Sequence, residues 1–135
     1  MAENGRRFIE TTEQTARVLV IVQDMETEAV MADFLNTVCP KEGRLLRLGL
    51  EQARHYLSNN ICPPFLVLDI RGSTDPLASV RQFKGMVPPD VTIMLIGDRG
   101  DVNFYRSITH GYGIAEDLYP PFNRNLLVRF FGDIS

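Results

Sequence analysis

Apolar runs and helical patterns alternate along this chain, and the alternation predicts the fold. The first apolar run, residues 17–22, is continuous and rich in β-branched residues, which is typical of a strand buried on both faces of a parallel sheet. From Glu26 onward, apolar residues recur at helical spacing until Cys39-Pro40 interrupts the pattern. The folded part of the chain is therefore expected to begin with a strand, a loop and a helix.

The same unit recurs four more times. The further predicted strands cover residues 44–48, 65–69, 91–96 and 114–119. The further predicted helices cover residues 50–58, 77–85 and 102–109, followed by a last helix that Asn123 caps and that ends near Gly132. Five strands that alternate with five helices predict an α/β, flavodoxin-like (βα)5 doubly wound parallel sheet with strand order 2-1-3-4-5.

Composition narrows the class of protein to a single soluble domain. The 135 residues are 44% hydrophobic and 23% charged, and no apolar run approaches the about 18 residues that a membrane span needs. Residues 1–16 are polar and lack the apolar segment of a secretory signal, so we expect a flexible leader, a domain at 17–135 and a cytoplasmic location. The net charge is −3 and the arginines are scattered, which disfavours nucleic acid as a partner.

The residue types that usually carry catalysis are thinly spread. Cys39 and Cys62 each precede a proline and show no metal-ligand spacing, which favours buried or half-buried thiols. His55 and His110 have no nucleophile nearby in the sequence and are expected at the surface or in turns. The sequence therefore predicts a protein that is not an enzyme.

One carboxylate occupies an informative place. Asp69 ends the third predicted strand, at the edge where open α/β sheets hold their functional groups. Asp24 follows the first strand, with Glu26 close behind, so both are expected near Asp69 where the strand order reverses. Carboxylate oxygens suit Mg²⁺, which makes Asp24 and Asp69 a candidate metal site.

Together these features resemble response-regulator receiver domains across almost the whole chain. The resemblance rests on a first strand followed by Gln23-Asp24, a third strand that ends Leu-Val-Leu-Asp69, and the late segment Tyr119-Pro120-Pro121-Phe122. Domains of that family accept a phosphoryl group from a histidine kinase on an aspartate, which corresponds here to Asp69. The resemblance thus implies two-component signal transduction as one candidate function.

Several positions depart from the receiver pattern. Gln23 stands where one of two metal-binding acidic residues is usual, and Gly97 stands where a hydroxyl residue usually contacts the phosphoryl group. Pro120 replaces the lysine that pairs with the acyl phosphate, and proline has neither charge nor N–H. Asp117 aligns with the aromatic that swings on activation, although a shift by one residue would bring Tyr119 near that place. Because phosphoryl transfer depends on placing and neutralising charge, these losses predict an unphosphorylated acceptor, weakened Mg²⁺ binding and no resident cofactor.

A narrower stretch resembles the atypical receiver domains that begin CpaE/TadZ pilus-assembly proteins. Within residues 97–106 their Gly-x-x-x-Asp-Val-x-x-Tyr-Arg core is matched by Gly97, Asp101, Val102, Tyr105 and Arg106. Their Tyr-Leu-x-x-Pro ending is matched by Leu118 and Pro121. In that family a ParA/MinD-like ATPase domain follows, and the whole protein helps to place a type IVb (Tad/Flp) pilus machine, often at a cell pole. This chain has no Gly-Lys-Thr/Ser phosphate loop, so the resemblance implies that it is the N-terminal part of a longer protein.

The resemblance also implies an interaction face. In receivers the fourth helix, fifth strand and fifth helix form the usual partner surface, and aromatic residues are candidate anchors there. We expect Asp101 to cap the fourth helix, Tyr105 to pack inward and Arg106 to reach solvent or a carboxylate. The candidate face consists of Asp101, Phe104, Tyr105, Arg106, Tyr119, Phe122 and Phe131.

Three hypotheses of function follow. The leading one is a non-catalytic, receiver-like interaction and localisation domain of a Tad/Flp pilus-assembly protein. Its expected partners are a second copy of itself, the adjoining ATPase domain, or other pilus-assembly or signalling proteins, without insertion into a membrane. The alternative is a phosphorylatable response-regulator receiver that uses Asp69. A third is a small-ligand binder in the vacated crevice, for which the sequence offers no glycine-rich phosphate loop.

Overall fold

Five parallel strands form the central sheet, in the order that the alternating pattern predicted. A computed structural model describes residues 16–22, 44–120, 122 and 125, and the five strands lie within these ranges. They are β1 (Ala16–Ile21), β2 (Arg44–Leu48), β3 (Phe65–Asp69), β4 (Thr92–Ile96) and β5 (Glu116–Leu118). Their order across the sheet is β2-β1-β3-β4-β5, and each neighbouring pair is parallel. The predicted fold class and strand order are confirmed.

Three helices lie in the described part of the chain. They are α1 (Leu50–Asn59), α2 (Pro76–Met86) and α3 (Val102–Gly111), with a 3₁₀ turn at Arg99–Asp101 immediately before α3. The three corresponding predictions are confirmed, with helix ends that differ by at most two residues. The predicted helix after Glu26 lies outside the described residues, as does nearly all of the one that follows Asn123. No helix in the described ranges is long and apolar enough to cross a membrane.

The sheet is buried on both faces, which explains why its strands read as continuous apolar runs. Successive side chains of a strand point to opposite faces, so Leu19 and Ile21 of β1 join one core while Val18 and Val20 join the other. The first core also contains the inward residues of the three described helices, namely Ala53, Leu57, Val80, Phe83, Tyr105 and Ile108. The second contains Val67, Met94, Ile96 and Leu118 from the neighbouring strands.

Local sequence signals set the ends of α2 and α3. Pro76 is at the start of α2, and the Asp75 side chain accepts a hydrogen bond from the amide of Ala78 at 3.2 Å. After the C-terminal end of α3, Gly113 adopts a φ of 67°, a left-handed conformation that suits glycine. The amides of Tyr112 and Ile114 then bond back to the carbonyls of Ile108 and Thr109. Gly113 therefore allows the chain to turn away immediately after the helix.

The start of α3 differs from the expectation. Asp101 is the residue before the helix, but its side chain accepts no capping hydrogen bond. The carboxylate of Asp98 accepts the amide of Gly100 at 3.1 Å instead, and the amide of Asp101 bonds to the carbonyl of Asp98 at 2.9 Å. The prediction that Asp101 caps the helix is wrong because an additional 3₁₀ turn moves the capping role three residues back.

The limits of two strands also differ slightly from the prediction. β1 begins at Ala16, the last residue that the pattern assigned to the leader, and β5 covers three residues rather than the predicted six. Backbone hydrogen bonds extend the pairing at both ends of β5: before the strand the amide of Ala115 bonds to the carbonyl of Ile93 in β4, and at its end the amide of Gly97 bonds to the carbonyl of Leu118. The end of β5 is thus held by the segment that follows β4.

Candidate functional site

Asp69 lies at the carboxyl end of β3, which is the central strand of the sheet. Its strand pairs with β1 on one side and β4 on the other, and Asp69 itself is in register with Ile96. The residue is 0% exposed. A fully buried carboxylate is stable only with polar partners, so the partners of Asp69 determine what chemistry it can do.

Arg71, two residues further along, binds both carboxylate oxygens of Asp69. Its Nε donates to Oδ1 at 3.1 Å, its Nη2 donates to Oδ2 at 3.1 Å, and its backbone amide donates to Oδ1 at 3.0 Å. This two-point geometry is the strongest arrangement of a guanidinium and a carboxylate. The pair is mostly shielded, since the Arg71 side chain is 21% exposed. Asp69 is therefore removed from solvent, and a positive charge from the same segment of chain compensates its negative charge.

Sequence reasoning did not identify Arg71, although a local signal was present. In the segment Asp69-Ile70-Arg71 the chain leaves the strand with a positive charge two residues after a negative one. Arg71 lies in the turn that follows the strand, so its long side chain can fold back onto the carboxylate two residues before it. Ile70 points away into the core and is 1% exposed.

The position that resembles the receiver hydroxyl is filled by another side chain. Gly97 follows β4, and the ring of Tyr105 lies directly against it. A Cβ atom at Gly97 would lie 2.7 and 2.8 Å from Cδ2 and Cδ1 of Tyr105, and closer still to Cγ. Real Cβ atoms do not approach ring atoms so closely, so the space for a side chain here is occupied.

A positive charge lies beside the segment that follows β5, but Arg99 provides it and not a residue of that segment. Pro120 stands where the resemblance places a lysine, and its carbonyl accepts a hydrogen bond from Nε of Arg99 at 3.2 Å. Nη2 of the same guanidinium donates to the carbonyl of Tyr119 at 3.1 Å. The cation beside this segment therefore comes from the 3₁₀ turn, and it binds two backbone carbonyls.

Asp117, the middle residue of β5, is the centre of a second cluster of polar side chains. The hydroxyl of Tyr119 donates to Oδ2 of Asp117 at 2.7 Å, and Nε of Arg106 lies 3.6 Å from the same oxygen. Burial, the hydrogen bond to Asp117 and the charge of Asp117 all raise the pKa of Tyr119. The rings of Tyr105 and Tyr119 meet edge to face with centroids 6.2 Å apart. Arg106 thus reaches a carboxylate, one of its two predicted environments.

The candidate interaction face divides into exposed and interior members. Asp101 and Arg106 are exposed, and Phe104 is 41% exposed, which is unusual for an aromatic side chain of this size. Tyr119 and Phe122 are half-buried, whereas Tyr105 is only 7% exposed. Tyr105 is therefore a core residue and not a surface anchor, because its ring fills the space above Gly97. Phe131 lies outside the described residues.

The predicted metal site falls largely outside the described residues. Gln23, Asp24 and Glu26 are not among them, so only Asp69 of that group can be placed. Within the described ranges, no three His, Cys, Asp or Glu side chains lie close enough to hold a metal ion. Mg²⁺ binding by Asp24 and Asp69 stays a prediction.

The remaining chemistry-bearing residues are where the sequence suggested. His55 and His110 are exposed, and Cys62 is half-buried. Burial and then the charge of Asp90 raise the pKa of the Cys62 thiol to about 11, which makes it a poor nucleophile near neutral pH. Cys39 lies outside the described residues.

An open groove of about 390 Å³ runs beside the loop after β3. It is lined by small and polar residues, including Ser73, Asp75, Ser79 and Gln82. Ser73 stabilises the turn in this loop, because its Oγ accepts a hydrogen bond from the amide of Asp75 at 3.2 Å.

Comparison with known proteins identifies the fold. No protein-family profile matches the sequence, and no curated protein is significantly similar to it. Among solved structures, a pilus assembly protein CpaE from Caulobacter crescentus CB15 has a TM-score of 0.65 at 19% identity, covering 88% of this chain and 94% of that one. A response regulator receiver protein from Pseudomonas putida has a TM-score of 0.66 at 18% identity, covering 86% and 94% of the two chains.

A third structure is the N-terminal signal receiver domain of a two-component response regulator from Bacteroides fragilis. Its TM-score is 0.68 at 12% identity, and the match covers 86% of this chain and 93% of that one. Identities this low carry information about the fold alone. The chain is a receiver-like α/β domain, and it resembles both CpaE pilus assembly proteins and response-regulator receivers.

Proposed function

We propose that this chain is a non-catalytic, receiver-like interaction and localisation domain of a Tad/Flp type IVb pilus-assembly protein, and that phosphorylation of Asp69 does not regulate it. The observation that carries the proposal is the contact of Arg71 with both oxygens of the buried Asp69. The likeness to the CpaE protein of Caulobacter crescentus supports the pilus part of the proposal.

The Arg71 contact opposes phosphorylation at the first step. An aspartate accepts a phosphoryl group when one carboxylate oxygen approaches phosphorus in line with the leaving group. Here Arg71 donates two hydrogen bonds to Oδ1 and one to Oδ2. An incoming phosphoryl group would have to displace the guanidinium and would leave Asp69 without its shielded counter-charge.

The groups that would stabilise a bound phosphoryl are also missing from the described part of the site. Gly97 supplies no hydroxyl, and the Tyr105 ring occupies the space where one would stand. Pro120 supplies no cation, and Arg99 is turned toward the carbonyls of Tyr119 and Pro120. Electrostatic stabilisation of this kind usually provides the largest share of catalysis in phosphoryl transfer, so its loss supports a non-catalytic domain.

The surface of α3 supports a role in protein contacts. Phe104 presents an aromatic ring to solvent beside the exposed Arg106, and aromatic and arginine side chains are the usual anchors of protein interfaces. The partners we propose are a second copy of the chain or the ATPase domain expected after it. Recruitment to a cell pole would follow from those partners.

A phosphorylatable receiver is the alternative function. The position of Asp69 at the carboxyl end of β3 and the likeness to the Pseudomonas putida receiver protein favour it. In that case Arg71 would release the carboxylate when Mg²⁺ and a phosphodonor bind.

Phosphodonor treatment separates the two functions. The domain would be incubated with Mg²⁺ and acetyl phosphate and measured by intact-protein mass spectrometry, with beryllofluoride and amide NMR as a second assay. We expect no added phosphoryl mass and no shift of the Asp69, Ile70 or Gly97 amide signals. Stoichiometric modification that disappears in Asp69→Asn would contradict the proposal and establish the alternative.

The interaction surface can be tested with a matched pair of variants. Phe104 and Ile61 are both large exposed apolar residues, 41% and 77% exposed, on different parts of the domain. Light scattering over a range of concentrations should show self-association that Phe104→Ala weakens and Ile61→Ala does not. A strict monomer at high concentration would contradict self-association and leave the ATPase domain as the proposed partner.

The pilus assignment has its own test. Sequencing the gene beyond the codon for Ser135 should reveal a MinD-like phosphate loop of the Gly-Lys-Thr/Ser type. A DNA-binding helix-turn-helix at that place would contradict the pilus assignment and favour a transcriptional response regulator.

A further inference from the structure

Arg99 connects two segments that are far apart in the sequence. The guanidinium lies on the 3₁₀ turn after β4, and it donates to the successive carbonyls of Tyr119 and Pro120, which follow β5. The backbone supports the same junction, because the amide of Gly97 donates to the carbonyl of Leu118 at 2.9 Å. The loop after β4 and the end of β5 are therefore joined by three hydrogen bonds.

Tyr105 extends this junction to helix α3. Its ring packs against Gly97, meets the ring of Tyr119 edge to face, and lies 5.2 Å from the ring of Phe104 at an interplanar angle of 73°. The hydroxyl of Tyr119 also lies 3.3 Å from the carbonyl of Val102 in the first turn of α3. A movement of either loop would therefore shift the packing of the helix that carries Phe104.

We propose that Arg99 is a latch that holds the loop after β4 against the end of β5 and so fixes α3 and its exposed Phe104 in one arrangement. A guanidinium suits this task because its planar fork places two N–H groups on neighbouring acceptors, which a lysine ammonium does less well. The carbonyls of Tyr119 and Pro120 belong to the same chain, so these two contacts form without a phosphate, metal or partner. The latch holds irrespective of whether Asp69 is ever phosphorylated, and it therefore goes beyond the proposed function.

Because Arg99 lies at the surface, we expect local opening of the domain to begin at its contacts with Tyr119 and Pro120. Arg99 is exposed, whereas the groups beneath it, Gly97 and Tyr105, are buried. Local opening begins where backbone hydrogen bonds are few and exposed to water. Removal of the guanidinium should therefore release the junction without unfolding the sheet.

Amide hydrogen exchange followed by NMR tests the latch. The variant Arg99→Met keeps the apolar stem and removes the donors, and Arg81→Met, at an exposed arginine on α2, is the matched control. Hydrogen bonds from a charged donor are worth enough that exchange at Gly97 and Asp101 should speed up by about fivefold to tenfold in Arg99→Met. Exchange at Leu19, Leu66 and Ile93 in β1, β3 and β4 should be unchanged, and Arg81→Met should leave all these amides as in the parent chain.

Two results would overturn the latch. Unchanged exchange at Gly97 and Asp101 in Arg99→Met would show that the guanidinium does not hold the junction. An equal increase at all the strand amides would show a general loss of stability instead of a local release. Neither result depends on the phosphodonor assay, so failure of the latch and failure of the proposed function can be told apart.

Discussion

Asp69, at the end of β3, and Asp117, in the middle of β5, are both carboxylates with an arginine partner, but their arginines come from different places. Asp69 is held by Arg71, two residues along the same segment. Asp117, on β5, is approached by Arg106 from α3 and receives the hydroxyl of Tyr119. The first pair closes a site within one stretch of chain, whereas the second joins separate elements.

This difference explains why the two carboxylates should respond differently to mutation. Asp69 is fully buried, and its side chain is shielded together with that of Arg71, so the pair should be strong but local. Asp117 has a side chain that is 7% exposed, but its Arg106 partner is 55% exposed and 3.6 Å away. Solvent weakens the charge interaction of Arg106, so Asp117 should depend more on Tyr119 than on its arginine.

The largest effect should come from removing the partner of Asp69. Arg71→Met leaves a buried carboxylate without its guanidinium, and we expect unfolding to require about 3 kcal/mol less free energy, near the lower bound for a broken buried pair. Urea denaturation followed by circular dichroism measures the change.

The double variant Asp69→Asn/Arg71→Met is the control for that prediction. It removes both charges, so it should recover much of the lost stability. An Arg71→Met protein as stable as the parent chain would show that the pair is dispensable, and the contrast between the two carboxylates would disappear.

The second largest loss of stability is expected from a substitution of Gly97, which the Tyr105 ring covers. Gly97→Ser should destabilise the domain by about 2 kcal/mol, because the new Cβ overlaps the ring and the core must shift. Gly100→Ser is the matched control, since a Cβ there would be 3.7 Å from the Asp98 carboxylate, an ordinary contact. Thermal denaturation of both variants should therefore show a lower melting temperature for Gly97→Ser alone. Equal melting temperatures would mean that Tyr105 gives way easily.

The third largest loss of stability is expected when the Tyr119 hydroxyl that donates to Asp117 is removed. Tyr119→Phe loses one hydrogen bond to a carboxylate, and we expect a loss of about 1.5 kcal/mol at neutral pH.

Its pH dependence has a definite sign. Because the folded protein raises the pKa of Tyr119, the stabilisation is fully present below the ordinary tyrosine pKa of about 10 and is lost as the pH rises beyond it. Urea denaturation at about pH 8 and about pH 11 should show a smaller alkaline loss in Tyr119→Phe than in the parent chain. An identical alkaline loss would assign the effect to other groups, such as Tyr105, whose pKa is also raised.

The smallest effect should come from Arg106. The long and exposed pair with Asp117 predicts that Arg106→Met costs about 0.5 kcal/mol at low salt and nearly nothing at about 1 M salt, where such charges are screened. Urea denaturation at the two salt concentrations measures this. A loss as large as that of Arg71→Met would show that the two carboxylates are held in the same way.

The fold was predictable because its signals are local and repeated. Each described strand is a short apolar run, and each described helix has a stripe of apolar residues on its inward face. Asp75 caps the start of α2 and Gly113 follows the end of α3, and both residue types are common at these positions. The position of Asp69 followed from the strand order. The extra turn before α3 was missed because both Asp98 and Asp101 are good capping residues, and sequence alone does not rank them.

The contents of the site were only partly predictable. Gly97 and Pro120 could be recognised as missing functional groups, but not what takes their place. The approach of Tyr105 to Gly97 depends on how α3 packs against the sheet, and Arg99 acts on carbonyls 20 and 21 residues away. Arg71 is the exception, because it follows Asp69 by only two residues, which was visible in the sequence.

The outer strands of the sheet affect how copies of this domain can meet. β2 and β5 are the outermost strands; β5 has only three residues, two of them acidic, and β2 carries Arg44 and Arg47. Short or charged outer strands are poor templates for the backbone pairing that leads to aggregation and fibres. A concentrated solution of this domain should therefore resist strand-to-strand polymerisation, and any association should use helix surfaces, which can separate again.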